Sequence, residues 1–204
     1  MMNTITLEEI TAIQQSKTLE FLTNDGSDSQ AIGATLKNFN SNSINHLKGE
    51  TWDKVRAKYA KFDEALAKHS TIANEMASAI QSIIAELQAA MNGYDSIDLS
   101  KLDEIKDQKR ACEATIDSIR SKMNKKRFNF RTFSFEPVYD NAALQKELDE
   151  QLKILAELEK LITTMEIIKG ICDKAEAKLN GLLDEMTAIA AGIETITPSE
   201  AVAV

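Results

Sequence analysis

From Trp52 onward the apolar positions recur in alternating steps of three and four: Trp52, Val55, Tyr59, Phe62, Leu66, His69, Ala73, Met76, Ile80, Ile83, Leu87 and Ala90. Such spacing lays one continuous stripe along an α-helix and does not match the period of two that a strand requires. No Pro or Gly falls between Glu50 and Asn92. The stripe therefore predicts one helix of roughly 60 Å at about 1.5 Å per residue, ended by Asn92-Gly93. A second repeat runs through Leu102, Ile105, Lys109, Cys112, Ile116, Ile119 and Met123, with Ser100 or Asp98 as its N-cap and an end near Lys125. A third begins near Asn141, takes in Leu144, Leu148, Leu155, Ile162, Met165, Cys172, Leu179, Leu182, Met186, Ile189 and Ile193, and stops before Pro198. Gly170 and Gly181 inside it cost about 1 kcal/mol each relative to Ala and are expected to mark bends or close packing.

Seams this long must be covered by other helices. Only 7 Gly and 2 Pro in 204 residues leave little for the turns of a sheet protein. The expected fold class is all-α: elongated antiparallel helical hairpins or coiled coil in one or at most two domains. Residues 1–96 are expected to form one hairpin and residues 97–197 a long antiparallel pair, with residues 198–204 as the start of a linker or tail. Ahead of Trp52, Leu7 to Leu22 and Gln30 to Asn45 read as shorter helices separated by a turn at Asn24-Asp25-Gly26-Ser27. Between the second and third seams, near residues 126–140, Phe128, Phe130, Phe133 and Phe135 crowd into a short run before Pro137. Their register slips midway, so a strand, a small hairpin or an extended tip would each fit.

The net charge of −8 argues against nucleic-acid binding, because an acidic surface repels phosphate. Arg120, Lys122, Lys125, Lys126, Arg127 and Arg131 form one basic cluster, read as a solvated helix end and loop. Cys112 and Cys172 fall among apolar positions and read as small buried hydrophobes. The first residues carry no basic segment followed by an apolar run, and no stretch reaches eighteen uncharged apolar residues. The chain is thus expected to be made in the cytoplasm. His46 and His69 are its two histidines, and His69 stands on the seam, where it reads as a structural or register-setting polar residue rather than a general base. No phosphate loop, zinc-ligand spacing or nucleophile elbow appears. No enzymatic activity, cofactor or metal is expected.

Leu47-Lys48-Gly49 followed by Glu50-Thr51-Trp52 forms a corner between a modest helix and the long seam. There Gly49 supplies a positive φ, Glu50 or Thr51 begins the next helix, and Trp52 packs over the turn. A Leu-Lys-Gly turn after an N-terminal helical segment, in a chain of about 200 helical residues, resembles an LXG domain. Those are the N-terminal delivery modules of polymorphic toxins exported by type VII secretion systems of Gram-positive bacteria. Trp52-Asp53-Lys54 is not the motif of the related WxG helical hairpins. The resemblance implies a binding mechanism: the domain pairs with small WxG-like helical partner proteins, and together they present an export signal to the secretion ATPase. The chain then leaves by a route independent of a signal peptide, and any toxic activity resides beyond Thr197-Pro198-Ser199. The export pattern Y-x-x-x-D/E is matched by Tyr94 and Asp98, expected at a helix end. Tyr59 and Asp63 also match, but Tyr59 reads as core; Phe21 with Asp25 is a looser variant, and a partner could carry the signal instead. The expected partner-binding face is Phe39, Trp52, Val55, Tyr59, Phe62 and Leu66, with no nucleic-acid partner and no membrane contact. Two alternatives stand beside this reading: a membrane-contacting pore-forming toxin that inserts its Phe-rich tip, and a structural coiled-coil homodimer.

Overall fold

The computed structural model describes residues 4–196, without the side chains of residues 193–196; the expected linker at 198–204 lies outside the described residues. The fold is all-α. In order come β1 (Thr4–Thr6), α1 (Leu7–Gln14), α2 (Lys17–Ser43), α3 (Glu50–Ala90) and β2 (Ser96–Asp98). A single 3₁₀ turn (Leu99–Lys101) leads into α4 (Leu102–Met123), then β3 (Lys126–Asn129), β4 (Ser134–Pro137) and α5 (Asn141–Ile196). The strands form two small antiparallel pairs, β1 with β2 and β3 with β4.

The chain divides into two compact units. One contains residues up to Leu7 together with Ala90–Gly170; the other contains Glu8–Ala89 and the chain from Ile171 onward. The boundary expected at residues 96 and 97 is therefore corrected. β1 pairs with β2, Ile5 opposite Ile97, which takes the first residues into the unit of α4. α5 supplies side chains to both units.

In the unit of α4, Cys112, Ile116 and Ile119 pack against Leu144 and Leu148 of α5, with Met123, Leu155 and Leu158 at the margin. Polar pairs set the direction: Lys106 with Glu166 at 2.7 Å, Lys109 with Glu159 at 3.0 Å, and the Cys112 thiol donating to the Gln151 carbonyl at 3.4 Å. As numbers rise on α4 they fall on α5, so the pair is antiparallel. Lys109 occupies a seam position and survives there because its ammonium reaches Glu159 at the edge. That hydrogen bond raises its pKa above the ordinary lysine value.

The other unit is built on the α2–α3 hairpin. Leu19 and Leu22 of α2 meet Ile72, Met76, Ala77 and Ala79 of α3, and Leu182 of α5 completes the buried cluster. Leu179, Met186 and Ile189 of α5 pack beside it. The expectation that α5 pairs along its length with α4 is thus corrected: the α5 seam continues past Gly170 into a different core. Gly170 and Gly181 have no atom within 4 Å of where a Cβ would sit, so neither marks close packing.

The expected turn at residues 24–27 is also absent, because α2 runs straight through it. The break comes earlier, where the Ser16 hydroxyl accepts from the Leu19 N–H and caps α2. Thr23 and Ser27 return their hydroxyls to the helix carbonyls four residues back, so these turn-formers spend their hydrogen bonds within the helix. Gly26 serves packing instead of turning: a Cβ there would lie 2.8 Å from Asn74 Oδ1, and the Ser70 hydroxyl donates to the Gly26 carbonyl at 2.7 Å.

Candidate functional site

The corner between α2 and α3 is the best-defined feature among the residues singled out from the sequence. The Leu47 N–H donates to the Ser43 carbonyl at 2.8 Å, closing the last turn of α2. Gly49 then takes φ +113°, a conformation strained for any side chain. Its carbonyl accepts from the Asp53 N–H at 3.1 Å, the first bond of α3. Lys48 and Gly49 are exposed and Leu47 is half-buried.

The residue that closes the corner is Arg56, which the sequence did not mark. One guanidinium nitrogen donates to the Leu47 carbonyl at 2.7 Å, and another bonds the Asp53 carboxylate. Its side chain is only 14% exposed. From α2, the Asn40 amide donates to the Arg56 carbonyl at 3.3 Å. One arginine thus ties the turn carbonyl to the first turns of α3, a bridge that a fork of fixed donors makes and a lysine does not.

Beside this corner Phe39 and Tyr59 form an edge-to-face pair with centroids 5.3 Å apart. Phe39, Trp52 and Tyr59 are 37%, 38% and 38% exposed. That corrects the reading of Tyr59 as core and leaves three aromatic side chains open on the two helices that the turn joins. Val55 and Phe62 are half-buried. Leu66 is withdrawn from the expected binding face, because it is 8% exposed and belongs to the unit's own interior.

Tyr94 follows the end of α3 and Asp98 belongs to β2. Both are half-buried. Lys160 Nζ sits 5.9 Å from the Tyr94 ring centroid. Asp98 accepts from the Ser100 hydroxyl at 2.6 Å and the Ser100 N–H at 3.0 Å, and these bonds hold its carboxyl below the usual aspartate value. Asp98, one of the two expected N-caps, therefore caps the 3₁₀ turn, while α4 begins at Leu102 without a side-chain cap.

The Phe-rich run is a hairpin. β3 and β4 pair with Phe128 opposite Phe135 and Asn129 opposite Ser134, around a loop of residues 130–133. Phe128 makes edge-to-face contacts with Phe130, Phe133 and Phe135 at 5.0, 6.0 and 5.2 Å.

His69 lies between α2 and α3. Its Nδ1 is 3.0 Å from the Ser29 hydroxyl and its Nε2 is 3.4 Å from an Asp25 carboxylate oxygen. The residue types match those of a hydrolytic triad, with Ser29 6% exposed between the two helices. Among the described residues no three His, Cys, Asp or Glu are grouped to hold a metal ion, and no helix is long and apolar enough to cross a membrane. Comparison of the chain with family models, curated proteins and solved structures gives no match.

Proposed function

We propose that this chain is a targeting domain that acts by binding: it pairs with small helical partner proteins and directs an attached or associated toxin to the type VII secretion system of a Gram-positive bacterium. The observation that carries the reading is the Leu47-Lys48-Gly49 turn, with Gly49 at positive φ and Phe39, Trp52 and Tyr59 exposed on the two helices it joins. Aromatic rings held on rigid helices and half open to solvent are the usual anchors of a helix-on-helix interface. Because α5 already fills the core beside Leu19 and Ile72, the partner helices belong at the corner, over Phe39, Trp52 and Tyr59, and not deeper along the seam. In this reading the export signal is contributed by Tyr94 and Asp98 or by the partner, and the chain leaves the cytoplasm without a cleaved signal peptide.

Co-expression with the small helical proteins encoded beside its gene tests the proposal. A stable complex that co-purifies through size exclusion is the expected outcome. Failure to co-purify with any of them refutes it.

A further inference from the structure

The β3–β4 hairpin has no part in the corner, and its surface is unlike the rest of the chain. Phe130, Phe133 and Phe135 are 81%, 82% and 69% exposed. Burying an aromatic ring is among the larger gains open to a side chain, so three rings left in water on one twelve-residue hairpin make an unpartnered apolar surface. Within the loop Phe133 sits at φ +48°, a left-handed conformation that a bulky side chain rarely adopts. Side chains pair part of the turn. Asn129 Oδ1 accepts from the Arg131 N–H at 2.9 Å, and Glu136 accepts from the Asn129 amide at 2.7 Å and the Thr132 hydroxyl at 3.1 Å.

Charge separates this tip from its surroundings. Residues 120–137 hold six of the chain's 24 Lys and Arg but one of its 32 acidic residues, Glu136, leaving 18 basic against 31 acidic elsewhere. Lys122, Lys125, Lys126, Arg127 and Arg131 are all exposed, and none of the five forms an ion pair among the described residues. Against the expectation of no membrane contact drawn from the sequence, we infer that the β3–β4 tip docks on an anionic lipid bilayer, with Phe130, Phe133 and Phe135 entering the boundary between headgroups and acyl chains and the five cations meeting lipid phosphates. Complementary charge selects the anionic surface, since the acidic remainder of the chain is repelled by it and only the tip is drawn to it. The apolar element commits the occupant to lipid. Phenylalanine offers no hydrogen-bonding atom, and Phe130, Phe133 and Phe135 each meet Phe128, so the four rings form one cluster instead of standing apart as anchors for separate protein pockets.

Flotation of the full chain with vesicles tests this. Retention is expected on phosphatidylcholine vesicles containing about one-third phosphatidylglycerol and not on pure phosphatidylcholine, with a several-fold loss as salt rises and shortens the screening length from about 10 Å. Phe130→Ser with Phe133→Ser, and separately Lys125→Glu with Lys126→Glu, should each lower the bound fraction at least tenfold with helical circular dichroism unchanged. No flotation of the parent chain, equal flotation on neutral vesicles, or undiminished flotation of the Phe pair would each overturn the inference. Loss of partner co-purification in the Phe pair, with no vesicle binding by the parent, would assign the tip to a protein contact and also overturn it. The tip variants leave the corner intact, so failure here is distinct from failure of the export reading.

Discussion

Replacing Arg56 by Met keeps most of the apolar stem that packs at the corner and removes the guanidinium that bridges Leu47 and Asp53. A hydrogen bond from a charged donor contributes about 1.5–3 kcal/mol net. The Leu47 carbonyl belongs to a half-buried residue, so water recovers part of that. The Asp53 partner is 68% exposed, which limits its pair to roughly 0.2–1 kcal/mol. The expected loss is therefore about 2 kcal/mol. With a urea dependence of about 1–3 kcal/mol per molar, the midpoint should fall by about 1 M. Trp52 is the single tryptophan of the chain and stands one turn of α3 from Arg56, so its fluorescence reports the unit that contains the corner. Arg56→Lys should recover less than half of the loss, because one ammonium does not span both acceptors. A midpoint shift below about 0.2 M for Arg56→Met, or full recovery with Lys, would refute the assignment of Arg56 as the clamp of the Leu-Lys-Gly turn.

Phe39→Ser should cost about 0.5–1.5 kcal/mol through the lost Tyr59 contact and reduce partner co-purification, while Ile119→Ala should leave co-purification intact; equal effects of the two would remove the corner as the binding face. Ile119, 1% exposed in the α4–α5 core, should lose about 2–5 kcal/mol on truncation to Ala in a denaturant titration. Gly181→Ala, with open space around its Cβ, should gain up to about 1 kcal/mol and raise the melting temperature by about 2–4 °C, whereas Gly49→Ala at φ +113° should lose about 1 kcal/mol. Asp98 titrates below 3.8 because of Ser100, so its stabilising effect is present above that value and fades as pH falls through the lowered folded pKa. An NMR titration should show the carboxyl moving back toward 3.8 in Ser100→Ala.

The helices were legible because their signal is long: a stripe held over many turns averages out local exceptions, so α3 and α4 begin and end, and α5 begins, close to where spacing and Gly93 place them. Errors came where a few residues carried the signal. Asn24-Asp25-Gly26-Ser27 has the composition of a turn, yet Ser70 and Asn74 make Gly26 a point of close approach by α3. Local preference yields there to packing that no window of sequence contains. Ser16 was a readable N-cap ahead of Leu19 and Leu22, and a search for caps inside the apolar pattern finds it. The division of α5 between two cores was not readable, since Leu155 and Leu182 belong to one unbroken seam and only tertiary contact assigns them. Arg56 was hidden for a related reason: its principal partner is a backbone carbonyl, which every residue has.

An apolar seam supplies adhesion but weak register, because a helix displaced by one heptad still finds apolar residues opposite. On the α2–α3 hairpin the polar contacts break that degeneracy. Asp25 and Ser29 bracket His69, Ser70 bonds the Gly26 carbonyl, and Gly33 makes room for the Asp63 carboxylate, 2.8 Å from where a Cβ would stand. A slip of one turn would strand the buried Ser29 and Ser70 hydroxyls at about 1–3 kcal/mol each and drive side chains into Asn74 and Asp63. Register in turn fixes the corner. With Phe39 held beside Tyr59 and Asn40 beside Arg56, the chain must reverse between Ser43 and Glu50, and the Leu47-Lys48-Gly49 turn with its positive φ is the reversal this spacing allows. The histidine that interrupts the seam therefore helps set where α2 and α3 align, and with that alignment the meeting of Phe39 with Tyr59 and of Asn40 with Arg56.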